Sequence, residues 1–185
     1  MEYLKTKDTD PQLLAEMDKD VQRLKTIAER FSKIGSAAEP EALNLQDAIA
    51  RAVGYMGKRI SSKVNIVVAV PDEPVIVQMN ESLFGWTLEN LIKNAVDAMD
   101  GQGEINIQAF RTDKKVVMDV SDTGKGIPKS KFKAVFQPGY TTKKRGWGLG
   151  LSLVKRIIEI YQKGKISVLK SEIGKGTTFR IEWKQ

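Results

Sequence analysis

At 185 residues, with 41% hydrophobic and 29% charged side chains, the chain can bury one good core and suits one compact domain plus an appendage. It has no cysteine and no histidine, which excludes disulfides, thiolate metal sites, imidazole ligands and every Ser-His triad. The net charge of +7 comes from scattered Lys and Arg residues, dense only around Lys143, Lys144 and Arg145, and reads as a solvated surface with no nucleic acid as partner.

Residues 1–35 are patterned differently from the remainder. Asp10 followed by Pro11 reads as an N-cap and first-turn proline, and Leu14, Met17, Val21, Leu24, Ala28 and Phe31 then recur at alternating steps of three and four. That spacing makes a coiled-coil seam, although a surface helix docked on its own domain carries the same pattern. Gly35 ends the run, and residues 36–42 are expected as a linker.

Residues 43–185 read as one α/β domain. A helix is expected over Leu45–Ile60, then strands over Val64–Val70 and Val75–Met79 with Pro71–Pro74 as the turn between them. Ser82 is expected to cap a long helix running to Met99. Alternation at Ile105, Ile107 and Ala109, and again at Val116, Met118 and Val120, marks two more strands. A helix from Gly148 to Tyr161 and strands over Lys165–Leu169 and Thr177–Trp183 complete the set. Strands joined mostly by short turns imply an α/β two-layer sandwich, in which a mixed, largely antiparallel sheet is covered on one face by helices.

Three segments carry chemistry. On the long helix Asn90, Asn94 and Asp97 are spaced four and three apart and line one face. An amphipathic helix with its polar side in water has that pattern too, but asparagine is a poor helix former and two of them in mid-helix call for some return. Lys93 either adds positive charge near a phosphate or pairs with Glu89 four residues earlier. Asp122 follows the apolar strand that ends at Val120 and precedes Gly124, Gly126 and Ile127. A carboxylate there can accept a hydrogen bond from the exocyclic amine of adenine, while the glycines let the chain pass close to the base; a plain hydrophilic turn is the alternative. Gly146, Gly148 and Gly150 bring backbone amides to the start of a helix, an anion seat. Without a preceding strand and a βαβ frame, this Gly-x-Gly-x-Gly is not a dinucleotide fingerprint.

Taken in this order, and closed by Gly174-Lys175-Gly176-Thr177-Thr178-Phe179, these segments resemble the ATP-binding domain of sensor histidine kinases, within the superfamily that includes DNA gyrase, the heat-shock chaperone and the mismatch-repair ATPases. The resemblance implies ATP and Mg²⁺ as cofactors, with Asn94 as metal ligand and Asn90, Lys93 and Asn94 as the catalytic group. It implies a nucleotide site formed by Asn90, Asn94, Asp97, Asp122, Gly124, Gly126, Ile127 and Thr177. Thr177 matches the threonine that, in the family, helps fix the aspartate and a base-bridging water. Tyr140, Thr141, Thr142, Lys143 and Lys144 resemble a short ATP lid, followed by Gly146, Trp147, Gly148, Leu149, Gly150 and Leu151. Trp147 is expected to pack within the lid, and Phe132 and Phe136 match an aromatic segment for which core packing is the plain reading.

Residues 1–35 then correspond to part of a dimerisation hairpin, mainly its second helix, and the resemblance implies a homodimer in the parent protein, a response regulator receiver domain as partner, and a phosphoacceptor histidine that this chain lacks. Hydrolytic members place a glutamate four residues before the metal-binding asparagine. Here that position is Asn90, and Glu89 is rotated about 100° around the helix. A kinase is therefore expected over an ATPase, with a nucleotide-sensing pseudokinase or an anti-sigma-type serine kinase as alternatives. No apolar run reaches the ~20 residues of a membrane span, so no membrane contact by this chain and a cytoplasmic location are expected.

Overall fold

The computed structural model describes residues 10–18, 20–22, 39–143 and 146–184. The chain divides into two units, Met1–Ala38 and Glu39–Gln185. In the first, residues 11–18 and 20–22 are helical. Asp10 caps this stretch, its carboxylate accepting from the Gln12 amide at 2.8 Å, as a short acceptor side chain ahead of a proline can. Met17 and Val21 of the expected seam are exposed, whereas Leu24, Ala28, Phe31, Gly35 and residues 36–38 lie outside the described residues.

The second unit opens with a strand that the sequence did not announce. Glu41 and Ala42, expected in the linker, belong to β1 (Glu41–Asn44), which pairs antiparallel with β3 (Ile76–Met79). Four residues carry too little alternation to be seen locally, and the pairing partner is more than thirty positions away. Asn44 then caps α1 (Leu45–Gly57) through the Gln46 amide, and Gln46 in turn holds the turn leading into β3 by donating to the Pro71 carbonyl and accepting from the Val75 amide. The expected cap of the long helix is displaced by two residues: Asn80, not Ser82, accepts from the Leu83 amide at 3.0 Å and starts α2 (Glu81–Ala98). Asparagine is as good a cap as serine, and the chain leaves β3 just before it.

The main sheet has five strands in the order β2 (Val64–Ala69), β4 (Gly103–Arg111), β5 (Lys115–Asp122), β7 (Gly176–Lys184) and β6 (Lys165–Glu172). The β2–β4 pair is parallel and the other three are antiparallel, as the short turns imply. One face alternates Ile105, Ile107, Met118, Val120, Phe179, Ile181 and Trp183, all buried. Against it α2 places Phe84, Leu88, Leu91, Ile92 and Ala95, and α1 packs on α2 in turn. Burying a large aliphatic side chain in such a layer contributes about 1.5–3 kcal/mol. The opposite face is closed by polar pairs, chiefly Arg180 on Asp119 and Ser121 on Thr178.

The last helix is shorter than expected. Regular α3 covers Gly150–Arg156 and passes into a wider π turn over Ile157–Tyr161, closed by the Gln162 amide on the Ile157 carbonyl at 3.0 Å. Among the described residues no helix is long and apolar enough to cross a membrane.

Candidate nucleotide site

Asp122 is the last residue of β5 and points to the helix-covered side, because Val116, Met118 and Val120 fix the alternation. Its Oδ1 accepts two backbone amides, Gly124 at 2.8 Å and Thr177 at 3.3 Å. Its Oδ2 has no partner among the described residues. Burial pushes the carboxyl above its ordinary value, and the two amide bonds pull the other way. A carboxylate held by one oxygen, with the other left over, is an acceptor waiting for a donor.

The glycines around it are required by contact. A Cβ on Gly124 would sit 2.6 Å from the Ala98 carbonyl oxygen at the end of α2, and one on Gly126, at φ +74°, would lie 2.1 Å from the Glu172 carbonyl oxygen. The Asp122 loop thus threads between the long helix and the β6–β7 hairpin, with Lys125 donating to Ala98 and Gly174 donating to Lys125. Ile127 joins the same cluster by donating its amide to Ser171 at 2.7 Å.

The α2 face assembles as its spacing implies. The Asn90 amide nitrogen bonds back to the Trp86 carbonyl at 2.9 Å, so its Oδ1 turns toward Gly150, where a Cβ would stand 3.2 Å from it and 4.0 Å from the Asn94 amide nitrogen. Lys93 is turned to Glu89 and forms the surface pair, the second of its two expected readings. Asn94 and Asp97 meet Lys143 of the expected lid: its ammonium donates to Asn94 Oδ1 at 3.0 Å and also pairs with Asp97. Asn94 thus presents its amide oxygen to a cation, the donor type a hard metal ion accepts, and the residues fit magnesium in that respect.

The loop expected as a lid has its ends joined at one neck, where the Gly139 amide donates to the Gly148 carbonyl at 3.1 Å. Tyr140 packs against the core, Thr141 caps the Lys143 amide at 3.1 Å, and Thr142 accepts from Lys125 at 3.4 Å. Lys144 lies outside the described residues. Trp147 departs from expectation: the residue is 43% exposed instead of packed. On either side, a Cβ on Gly146 would meet Thr141 Oγ1 at 2.7 Å and one on Gly148 the Gly139–Tyr140 backbone, and the residue between them is exposed. Leu149 and Leu151 stand at the start of α3 with Leu151 against the core, and the first amides of such a turn lack intrahelical partners. Phe136 is core, edge-on to Phe179 at 6.1 Å, and Phe132 packs partly buried beside it. Thr177 reaches Asp122 through its backbone amide, while its hydroxyl goes to Ser171 at 2.9 Å. Ser171 is the residue that sequence reasoning missed; the signal for it lies in the strand register opposite Thr177.

A mixed sheet under helices, with a half-bonded aspartate and an asparagine-lined helix facing a glycine-edged lid, defines an ATPase-type nucleotide domain. A model of the family described as histidine kinase-, DNA gyrase B- and HSP90-like ATPase matches residues 79–185, more than half of the chain. The sensor histidine kinase ZraS of Salmonella typhi is 31% identical over 169 residues, covering 89% of this chain and 36% of ZraS. Sporulation kinase D of Bacillus subtilis (strain 168) is 30% identical over 170 residues, covering 89% of this chain and 33% of the relative. Among solved structures, the nucleotide-free catalytic domain of the histidine kinase ThkA superposes with TM-score 0.71 at 28% identity, over 80% of this chain and 96% of that one. ThkA in complex with the response regulator protein TrrA gives TM-score 0.73 at 25% identity, over 99% of this chain and 55% of that one. The chain belongs to the histidine kinase-, DNA gyrase B- and HSP90-like ATPase family, and its domain is a histidine kinase ATP-binding domain. It spans about a third of the length of ZraS and of sporulation kinase D.

Proposed function

We propose that this chain binds ATP with magnesium and directs the γ-phosphoryl group to a histidine on a separate helical segment, as the catalytic part of a sensor histidine kinase. The observation that carries the reading is the juxtaposition on one side of the sheet of a free Asp122 Oδ2, for the adenine amine, with Asn90 and Asn94 beside Gly150 for the phosphate end. Asn94 would hold the metal, which neutralises triphosphate charge when bound. The chain's own part is orientation: Asp122 and Thr177 fix the base, Asn90 and Asn94 border the phosphate seat, and the lid brings Lys143 to it. Asn90 stands where a water-activating glutamate would, which favours transfer over hydrolysis. The TrrA complex of ThkA supports a receiver domain as the onward acceptor in the parent protein.

The test incubates labelled ATP with the chain alone and with a separate piece carrying the parental first hairpin helix. Acid-labile label on the added piece, with slow hydrolysis by the chain alone, is the expected result. Brisk hydrolysis without transfer would replace the kinase reading with an ATPase one.

A further inference from the structure

The hydroxyl of Ser171 stands among three partners, one of them Thr177, whose backbone amide bonds Asp122. It accepts the Ile127 amide at 2.7 Å, contacts the Gly176 carbonyl oxygen at 2.9 Å and the Thr177 hydroxyl at 2.9 Å. A serine hydroxyl has one proton to give and two lone pairs to receive. The amide consumes one lone pair. The carbonyl has no proton of its own, so it takes the serine's. Only the second lone pair remains for Thr177, and Thr177 must therefore be the donor.

The strand geometry puts Ser171 there deliberately. A bulge between Val168 and Lys170 shifts the β6–β7 register, so that Ser171 pairs with Thr177; an unbulged ladder continuing from Val168 opposite Phe179 would place Lys170 there instead. Bulges beside sites commonly re-aim one side chain in this way.

We propose that Ser171 is a specificity-determining positioning residue: by holding the Thr177 proton to itself, it leaves acceptors alone at the polar end of the pocket, Thr177 Oγ1 and Asp122 Oδ2. Such an end welcomes a purine 6-amino group and opposes a 6-oxo group, whose oxygen would face lone pairs. The inference rests on the adenine site proposed above and adds to it the residue that sets the polarity of Thr177.

The experiment compares ADP with inosine diphosphate, which exchanges the 6-amino for a 6-oxo group, by calorimetric titration of the whole chain. The parent should prefer ADP by roughly tenfold or more. Ser171→Ala frees the Thr177 proton to turn into the pocket, and the preference should narrow about threefold or more, with inosine diphosphate affinity held or improved. Ser171→Thr should keep the parental ratio, and in a Thr177→Val background Ser171→Ala should leave the ratio where it was. A serine that merely supports the fold would weaken both ligands alike. If Ser171→Ala does not fold, Ser171→Cys, a weak donor and acceptor of similar bulk, carries the same comparison. An unchanged ratio in a variant that still binds ADP overturns the proposal alone. A parent that binds neither diphosphate, or both equally, overturns the adenine reading and this inference with it.

Discussion

Lys143 Nζ lies 3.0 Å from Asn94 Oδ1, so the oxygen proposed for the metal already holds a cation tethered to the lid. The same ammonium pairs with Asp97 one helical turn on, and both side chains of that ion pair are about half exposed, Lys143 at 42% and Asp97 at 53%. Exposed pairs of this kind contribute little, and exchange readily for a better partner.

A metal arriving with a nucleotide should take Asn94 Oδ1 and release Lys143 toward the phosphates. Magnesium should then strengthen ADP binding in the parent, and Asn94→Ala should remove about a tenfold share of affinity that depends on magnesium while sparing the metal-free remainder. Titrations with and without chelator read this directly. Equal magnesium dependence in the two proteins would take the metal away from Asn94.

Asp122→Asn keeps the shape but can turn an amide nitrogen, a donor, toward the base. ADP affinity should fall about tenfold or more. Stability should move the other way with pH. Burial raises the folded carboxyl above its ordinary value of 3.8, so the native state holds the proton more tightly than the unfolded chain. Stability linked to this group is present below the unfolded value and is lost as pH rises through the folded one. The stability of Asp122→Asn relative to the parent should therefore climb as pH rises from about 4 and then level off, which parallel urea titrations across pH would reveal.

The candidate site was legible where the sequence broke its own local rules. Two asparagines in mid-helix, a carboxylate ending an apolar strand and three alternating glycines each sacrifice local preference, and each belongs to the candidate site. What stayed hidden depends on long-range register. Strand β1 is defined only by its pairing with β3, and Asn80 outcompetes Ser82 as cap because of where β3 ends. Lys93 was readable only as a choice, and here it pairs with Glu89. Ser171 looks like any strand serine until the β6 bulge sets it opposite Thr177.

Gly126 ties two parts of the site by contact alone. Its φ of +74° disfavours any side chain by about 1–2 kcal/mol. A Cβ 2.1 Å from the Glu172 carbonyl oxygen must also push the β6–β7 hairpin away from the Asp122 loop. Gly126→Ala should lower the melting temperature and, by moving Ser171 off the Ile127 amide, weaken ADP binding as well. Gly54→Ala, on an α1 surface with nothing within 4 Å of the new Cβ, is the control that should be neutral or slightly stabilising. A Gly126→Ala melt matching the parent would refute the contact.

The outer face of the sheet offers a test of stability that leaves the pocket alone. Arg180 grips Asp119 with two parallel bonds, Nε to Oδ1 at 2.8 Å and a terminal nitrogen to Oδ2 at 2.7 Å, across the β5–β7 ladder. The guanidinium also lies over the Phe110 ring at 5.6 Å, and the bond to Asp119 raises its affinity for its proton. Asp119 is buried, so it depends on this partner more than Arg180 does. Arg180→Ala should strand a buried carboxylate and cost about 2–3 kcal/mol, whereas Asp119→Ala leaves a partly exposed guanidinium and should cost less, about 1–2 kcal/mol. The double variant should recover part of the sum, because no charge is then left unpaired. Urea unfolding of the four proteins measures the cycle, and ADP binding should stay within about twofold throughout, since neither residue faces the nucleotide side. Equal losses that simply add would mean that the pair is no more than two independent surface charges.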